Sequence, residues 1–398
     1  MRHRLFARAL FAGALVLSFT SARTSRADGG SFSDAEVLGP KPSTRVELVQ
    51  TRVTAYEQKG FGYQSQAGPL SGPGSETLHV LQVQGEFVVQ QGERLTHRVW
   101  VPVDLVTSAS ANAIDGYYAK PDVISTASAQ NLAKEIQYQL SARADDDTTW
   151  SAGAGVHHEE NFLSWFYSLE YQRTLAEKNA TLSVSWNQVL DWFDAFTLGG
   201  KRAGRASRAS SNVNIGLSQL LSPSTLVGVS YGVTLQRGEL GNTWNTVPTA
   251  AGGRVSETLP KERVRHAASL SLAQWLPWGG ALKLRYRFYR DDWDVSAHSA
   301  EVELRQSIAD WLIVGASYRY HHQTGVSFFT TSSPAGLKYA TADSDLALLF
   351  TQALGANAAV TLPTASFGNL VLSCGFEHYF RSDALRVNVA TWATGFHF

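Results

Sequence analysis

Strict alternation of apolar and polar side chains, sustained for about ten residues at a time and repeated along most of the chain, restricts this sequence more than any other feature. In RLTHRVWVPVDL (94–105) the odd positions Leu95, Val99, Val101, Val103 and Leu105 are mostly apolar, whereas Arg94, Thr96, Arg98 and Asp104 occupy even ones. In WSAGAGVH (150–157), Trp150, Ala152, Ala154 and Val156 alternate with Ser151, Gly153, Gly155 and His157. Leu163, Trp165, Tyr167, Leu169 and Tyr171 share a face in the next segment. A period of two is that of a strand with one apolar and one polar face.

About sixteen such segments are read, at 46–57, 77–90, 94–106, 132–143, 148–158, 162–174, 180–192, 211–221, 225–237, 263–276, 281–291, 296–308, 311–323, 343–354, 368–380 and 386–398. Most exceed the roughly five or six residues of a soluble strand and suit a tilted bilayer crossing. Brief turns at 90–93, 143–147, 176–179, 222–224, 277–280 and 308–310 alternate with mostly longer linkers at 58–76, 107–131, 193–210, 238–262 and 324–342. Short turns at one end and long loops at the other mark a transmembrane barrel. The expected fold is all-β: a closed antiparallel transmembrane β-barrel of about 16 strands, within a range of about 14 to 18. Aromatics near segment ends, Trp100, Trp150, Trp192, Phe193, Trp275, Trp278, Tyr289, Trp293, Trp311, Tyr318 and Tyr320, are expected to form two girdles at headgroup level.

The first residues carry Arg2, Arg4 and Arg8, then an apolar run from Ala9 to Thr20, with Ser25 and Ala27 preceding a cut before Asp28. Residues 1–27 therefore read as a signal peptide, 28–43 as a short periplasmic segment and 44–398 as the barrel, in the cell outer membrane of a Gram-negative envelope. Cys374 is the only cysteine, which excludes an internal disulfide and cysteine-rich metal centres. Equal numbers of basic and acidic residues, 34 each, leave no broad basic face for nucleic acid.

The last segment, RVNVATWATGFHF, puts Ala390, Trp392, Phe396 and Phe398 on one face, with Thr394 the polar departure. It resembles the C-terminal signal read by barrel-assembly machinery in outer-membrane proteins. The stretch YRFYRDDWDVSAHSAEVELRQSIADWLIVGASYRYHHQTGVSFF (286–329), with DVISTASA (122–129), is similar to a bacterial family of outer-membrane barrels of unknown function. The likeness runs from about residue 44 to the end. It implies a fold and a location, and no catalytic residues.

Three consecutive segments carry the clearest polar constellation. If Leu282, Leu284, Tyr286 and Phe288 meet lipid, Lys283, Arg285 and Arg287 face the lumen, as do Glu301, Glu303 and Arg305 and then Ser317, Arg319 and His321. Turn positions set Arg285 opposite Glu301, Lys283 opposite Glu303, and Glu301 opposite Arg319. Earlier inward faces, Ser151, Gly153, Gly155, Ser164, Ser168, Thr181, Ser183, Ser185 and Asn187, are small or hydroxylated. One charged wall facing a nearly neutral one suits a channel for small polar solutes. The alternative is a non-conducting structural or assembly component whose ion pairs only brace the wall.

HHEE (157–160) and HH (321–322) raise a metal site, but strand neighbours point to opposite faces, so solvated loop residues are expected and no metal or cofactor. DDD (145–147) and RDDWD (290–294) could share divalent cations with lipopolysaccharide phosphates; simple solvation is expected for the first. GKRAGRASRAS (200–210) reads as a solvated extracellular loop. No HExxH, GxSxG or nucleotide-binding fingerprint occurs, so no enzyme is expected. The octets DLVTSASA (from Asp104) and DVISTASA (from Asp122) flank one long linker, where each Asp would open a turn, with a gate as the sharper reading. Expected partners are outer-membrane lipids, lipopolysaccharide, barrel-assembly machinery and a possible periplasmic or lipoprotein component.

Overall fold

The computed structural model describes residues 44–60, 76–110, 114–115, 120–121, 129–197, 202–241, 245–251, 254–332, 334–364 and 368–398. The expected signal peptide and the 28–43 segment lie outside them. The first half of the chain forms β1 (Thr44–Gly60), β2 (Glu76–Gln91), β3 (Leu95–Ser110), the two-residue strands β4 (Ile114–Asp115) and β5 (Lys120–Pro121), β6 (Ala129–Arg143), β7 (Thr148–Glu159), β8 (Phe162–Leu175), β9 (Ala180–Phe196) and β10 (Arg202–Ser222). The second half forms β11 (Thr225–Gly238), the short β12 (Thr246–Pro248) and β13 (Arg254–Ser256), β14 (Glu262–Leu276), β15 (Gly280–Asp291), β16 (Ser296–Ala309), β17 (Leu312–Gln323), β18 (Leu349–Thr364), β19 (Gly368–Arg381) and β20 (Arg386–His397).

Sixteen of these strands close into one antiparallel barrel in chain order, with β1 pairing β20 along a seam that sets Val53 opposite Trp392. Closure leaves no unpaired edge, which a bilayer demands because hydrocarbon cannot satisfy a free backbone group. The hairpins β4–β5 and β12–β13 stand outside this sheet.

Alternation decides which side chains face out. Leu81, Val83 and Phe87 on β2, Trp165, Tyr167 and Leu169 on β8, and Leu284, Tyr286 and Phe288 on β15 all lie on the exposed face. Repeated on neighbouring strands, these positions make an apolar belt far larger than a soluble monomer tolerates. Two aromatic levels flank it. Phe87, Trp150, Trp275, Trp278, Trp311 and Phe398 lie toward the short turns, and Trp165, Trp192, Tyr320, Phe350 and Phe380 toward the long connections. The protein is an outer-membrane β-barrel.

Four of the expected girdle aromatics are not in the belt. Trp100 and Phe193 have the inward parity of their strands; Tyr289 faces in and donates to Asp291 (2.7 Å), and Trp293 is buried in a loop core. Position near a strand end fixes height, whereas parity fixes the face.

The ladder also runs further than the apolar pattern. β10 begins at Arg202, so 202–210 is strand rather than loop, tied by Arg202 to Asp194 (2.5 Å) and by Arg208 Nε to Asp191 (2.8 Å). β18 begins at Leu349 and runs to Thr364, while residues 344–346 form a 3₁₀ turn.

At the long-loop end, extracellular in such barrels, the described residues of 239–261 and 324–348 fold together. Thr258 and Ala340 exchange backbone hydrogen bonds of 2.9 Å, Thr341 Oγ1 donates to Glu257 (2.7 Å), and Val247, Ala340 and Ala342 form a small core. A second core gathers Trp293, Val295 and Val326. Both apolar cores belong to this loop unit; the described barrel interior is polar on the strands that carry charge.

Candidate lumenal site

The register on β15–β17 sets Arg285 opposite Glu301, Lys283 opposite Glu303, and Glu301 opposite Arg319. Arg285 Nη1 lies 2.9 Å from Glu301 and its Nη2 3.1 Å from Glu303, Lys283 is 3.9 Å from Glu303, and Arg319 Nε donates to Glu301 at 3.0 Å. Arg305 pairs with Glu303 as well. Each opposed pair contributes about 0.2–1 kcal/mol, and less where the guanidinium is half in water. Arg287 stands on the same face, opposite Ser269 and Ser299.

These side chains point away from the belt formed by Leu284, Tyr286, Val302, Leu304, Tyr318 and Tyr320, hence into the barrel. Glu303 is nearly enclosed (7% side-chain exposure), yet Arg285 is 49% accessible. Arg285 lies in the middle of an inward face, so its accessible surface is space inside the barrel.

The inward wall from β7 to β11, which leads round to the charged strands, is small along much of its height. Gly153, Gly216 and Gly228 leave room that neighbouring Ser168, Ser183 and Ser271 hydroxyls fill, and the Phe166 ring lies where a side chain at 155 would stand. Its mouthward end is not neutral as expected. His157 is buried there, its Nδ1 2.9 Å from Glu135 and its Nε2 2.6 Å from Glu159, and Asp191 holds Arg208. His157 and Glu159 are therefore not solvated loop residues. Strand β7 carries both inward to the rim, where hydrogen bonds among Glu135, His157 and Glu159 replace water.

Histidine pairs do split between faces. His158 is exposed, and His321 faces in with Nδ1 2.8 Å from Ser299 Oγ while His322 sits opposite His298 on the outer face. Among the described residues no group of three His, Cys, Asp or Glu side chains could hold a metal. Asp291 in the RDDWD stretch is sealed rather than open to a cation. It accepts from Arg263 Nε (2.8 Å), the Tyr289 hydroxyl (2.7 Å) and the backbone N–H groups of Trp293 and Val295 (3.0 Å each). In the DDD turn, Asp145 accepts from the Asp147 N–H (2.9 Å), which with the Thr148 side chain holds its carboxyl below the usual carboxylate range.

Asp104 does not open a turn. It sits within β3, buried, with Gln82 Nε2 donating to it at 2.6 Å, because β3 stays paired with both neighbours beyond it. Asp122 and most of the linker between the octets lie outside the described residues. Residues 343–346 contact inward-facing side chains at the long-loop rim. Arg381, on the inward face of β19, pairs with Asp345 and donates to Ser344 Oγ (2.8 Å), and Asp345 also lies within electrostatic range of inward-facing Tyr56 on β1. Gln323 Nε2 donates to the carbonyls of Asp345 (2.8 Å) and Ala347 (2.9 Å). Asp343 accepts from Asn245 (2.9 Å) and the Asp345 N–H (2.9 Å), and burial, with Asp345 second, pushes its carboxyl up to about 6. Nothing in the sequence pattern marks this contact, since loops 98 residues apart meet without periodicity.

Trp392 and Phe398 are exposed on the outer side at the closing strand, and Phe396 rests 6.5 Å from Phe398, ring to ring. Cys374 is exposed opposite Trp392.

No curated protein matches the chain. Among solved structures it is similar to the outer membrane protein opdK from Pseudomonas aeruginosa (9% identity, TM-score 0.43, covering 89% of this chain and 98% of that one). It is also similar to a bacterial polysaccharide outer membrane secretin (8% identity, TM-score 0.47, 87% and 98% covered) and to Pseudomonas aeruginosa OccK2 (OpdF) in complex with glucuronate (11% identity, TM-score 0.41, 89% and 98% covered). At these scores the likenesses carry no argument about function. The family described as protein of unknown function (DUF3570) matches over residues 74–392, and the chain belongs to that family.

Proposed function

We infer that the protein is a channel for small polar solutes, with Lys283, Arg285, Arg287, Glu301, Glu303, Arg305 and Arg319 lining one wall of its pore. One observation carries this reading: Arg285, in the middle of an inward face, is 49% accessible although the barrel is closed. A barrel sealed by its own side chains would bury such a group or replace it by an apolar one, since an unsolvated guanidinium is costly. Sixteen strands enclose a bore wide enough for water. The ion pairs then do two things at once, bracing the wall and setting a transverse field across the path. Loop residues 343–346, anchored by Arg381, narrow the entrance on the β19–β1 side.

Reconstitution into planar bilayers tests the reading, with swelling of proteoliposomes in sugars and amino acids as a second measurement. Stepwise ionic conductance and uptake of small solutes are expected. A reconstituted, folded barrel that passes neither ions nor solutes would instead support a non-conducting scaffold or assembly component.

A further inference from the structure

The inner face of β14–β17 holds more cations than its carboxylates can satisfy. Arg263, Arg265, Lys283, Arg285, Arg287, Arg305 and Arg319 share it with Asp291, Glu301 and Glu303. The two glutamates are occupied by Lys283, Arg285, Arg305 and Arg319. Asp291 stands directly opposite Arg265 in the ladder, but Arg263, the Tyr289 hydroxyl and two backbone N–H groups take up its oxygens. Arg265 is left with an enclosed Nε that has no hydrogen-bond partner. The Arg287 side chain likewise forms no ion pair or hydrogen bond among the described residues, although its backbone is paired in the ladder.

The position of Arg287 gives this surplus a shape. The register aligns Ser269, Arg287, Ser299, His321 and Thr351 in one row across five strands, all inward and none acidic. Arg265 lies above it toward the mouth, four residues along β14 from Ser269, about 13 Å of strand. A guanidinium between hydroxyls and an imidazole offers directed donors, and an arginine fork matches the oxygens of a carboxylate or phosphate.

We propose that Arg287, its row of Ser269, Ser299, His321 and Thr351, and Arg265 above it form a binding site for a small oxyanion, a carboxylate or a phosphate, on the lumen wall. The inference rests on the channel reading in so far as the anion is a passing solute, and makes the pore anion-selective. The two unpaired arginines attract the anion from the mouth, and the ion-paired level below offers it no comparable free charge. An anion is therefore held at this row before it continues.

The test uses the full mature protein, refolded in detergent and checked by its heat-dependent gel mobility. Calorimetric titration with inorganic phosphate and, separately, with succinate is compared between the native chain and the double variant Arg265→Gln/Arg287→Gln, with the outward-facing Arg290→Gln as control. Binding of at least one anion is expected, weakened tenfold or more in the double variant and unchanged in the control. In bilayers under a potassium chloride gradient, the chloride-to-potassium permeability ratio of the native chain should exceed one and fall several-fold in the double variant. Equal titrations for native and doubly substituted protein, with unaltered permeability ratios, overturn the site. Arginine-dependent binding by a barrel that passes no current upholds the site and defeats the channel reading alone.

Discussion

Asp291 and His157 are both enclosed polar groups at the mouthward ends of their strands, Asp291 paired with Arg263 and His157 hydrogen-bonded to Glu135 and Glu159. Alternation told which face each takes, yet it could not tell that the face would be covered, because the cover comes from Trp293, Phe162 and other residues distant in sequence or beyond the strand. Asp291 is the more informative of the two. Its side chain is wholly inaccessible, and Arg263, 10% accessible, stacks over the Trp293 ring at 4.3 Å. Removing the carboxylate strands a buried cation and leaves two turn N–H groups without an acceptor. Asp291→Ala should therefore lose about 3–5 kcal/mol of unfolding free energy, followed by tryptophan fluorescence in urea after refolding into micelles. The double variant Arg263→Met/Asp291→Ala should recover part of that loss, since it removes the orphaned charge. A single variant within about 1 kcal/mol of the native chain contradicts this account of the turn.

Sixteen strands were legible because hydrocarbon on one side and water on the other impose a period of two, and that signal fades where the bilayer ends. Around Arg202, Arg205 and Arg208 both faces of β10 are wet, so the hydrogen-bonded ladder continues with no apolar rhythm to announce it. The second half of β18 hid for a different reason: in GANAAVTLPT (355–364) the outward residues Ala356, Ala358, Val360 and Thr364 are small or polar, and Leu362 alone is a large exposed one. The loop unit was illegible altogether, as its contacts join segments by tertiary packing alone. Asp343 lies at the centre of it, between Asn245 and Asp345. Because burial raises its folded value from 3.8 to about 6, the folded loop favours the protonated carboxyl. Its contribution is complete below the unfolded value and disappears as pH climbs through about 6. Hydrogen exchange of the 324–348 segment should be slower at pH 5 than at pH 8 after correction for intrinsic rates, and Asp343→Asn should remove the difference. Identical corrected protection at both pH values counts against a titrating Asp343.

Taken as one object, the barrel is a surface with two solvents, and neighbouring residues answer to different ones. Leu270 is 51% exposed on the outer face of β14, and Ser271, the next residue, faces in opposite Arg285. No core of buried apolar side chains along the barrel axis is needed for this arrangement, since the strands are held by a closed ladder and by the exclusion of the belt from water. The consequence is an asymmetry that no soluble sandwich would show. Leu270→Arg places a charge against hydrocarbon and should cost about 2–4 kcal/mol if it lies near the bilayer midplane. Ser271→Glu places a charge beside Arg285, in space where Gly228 leaves room, and should change stability by less than about 1 kcal/mol. Unfolding in urea from lipid vesicles measures both. Should the inward glutamate prove as damaging as the outward arginine, the interior at that height is dry, and the wet lumen on which the channel reading depends is lost with it.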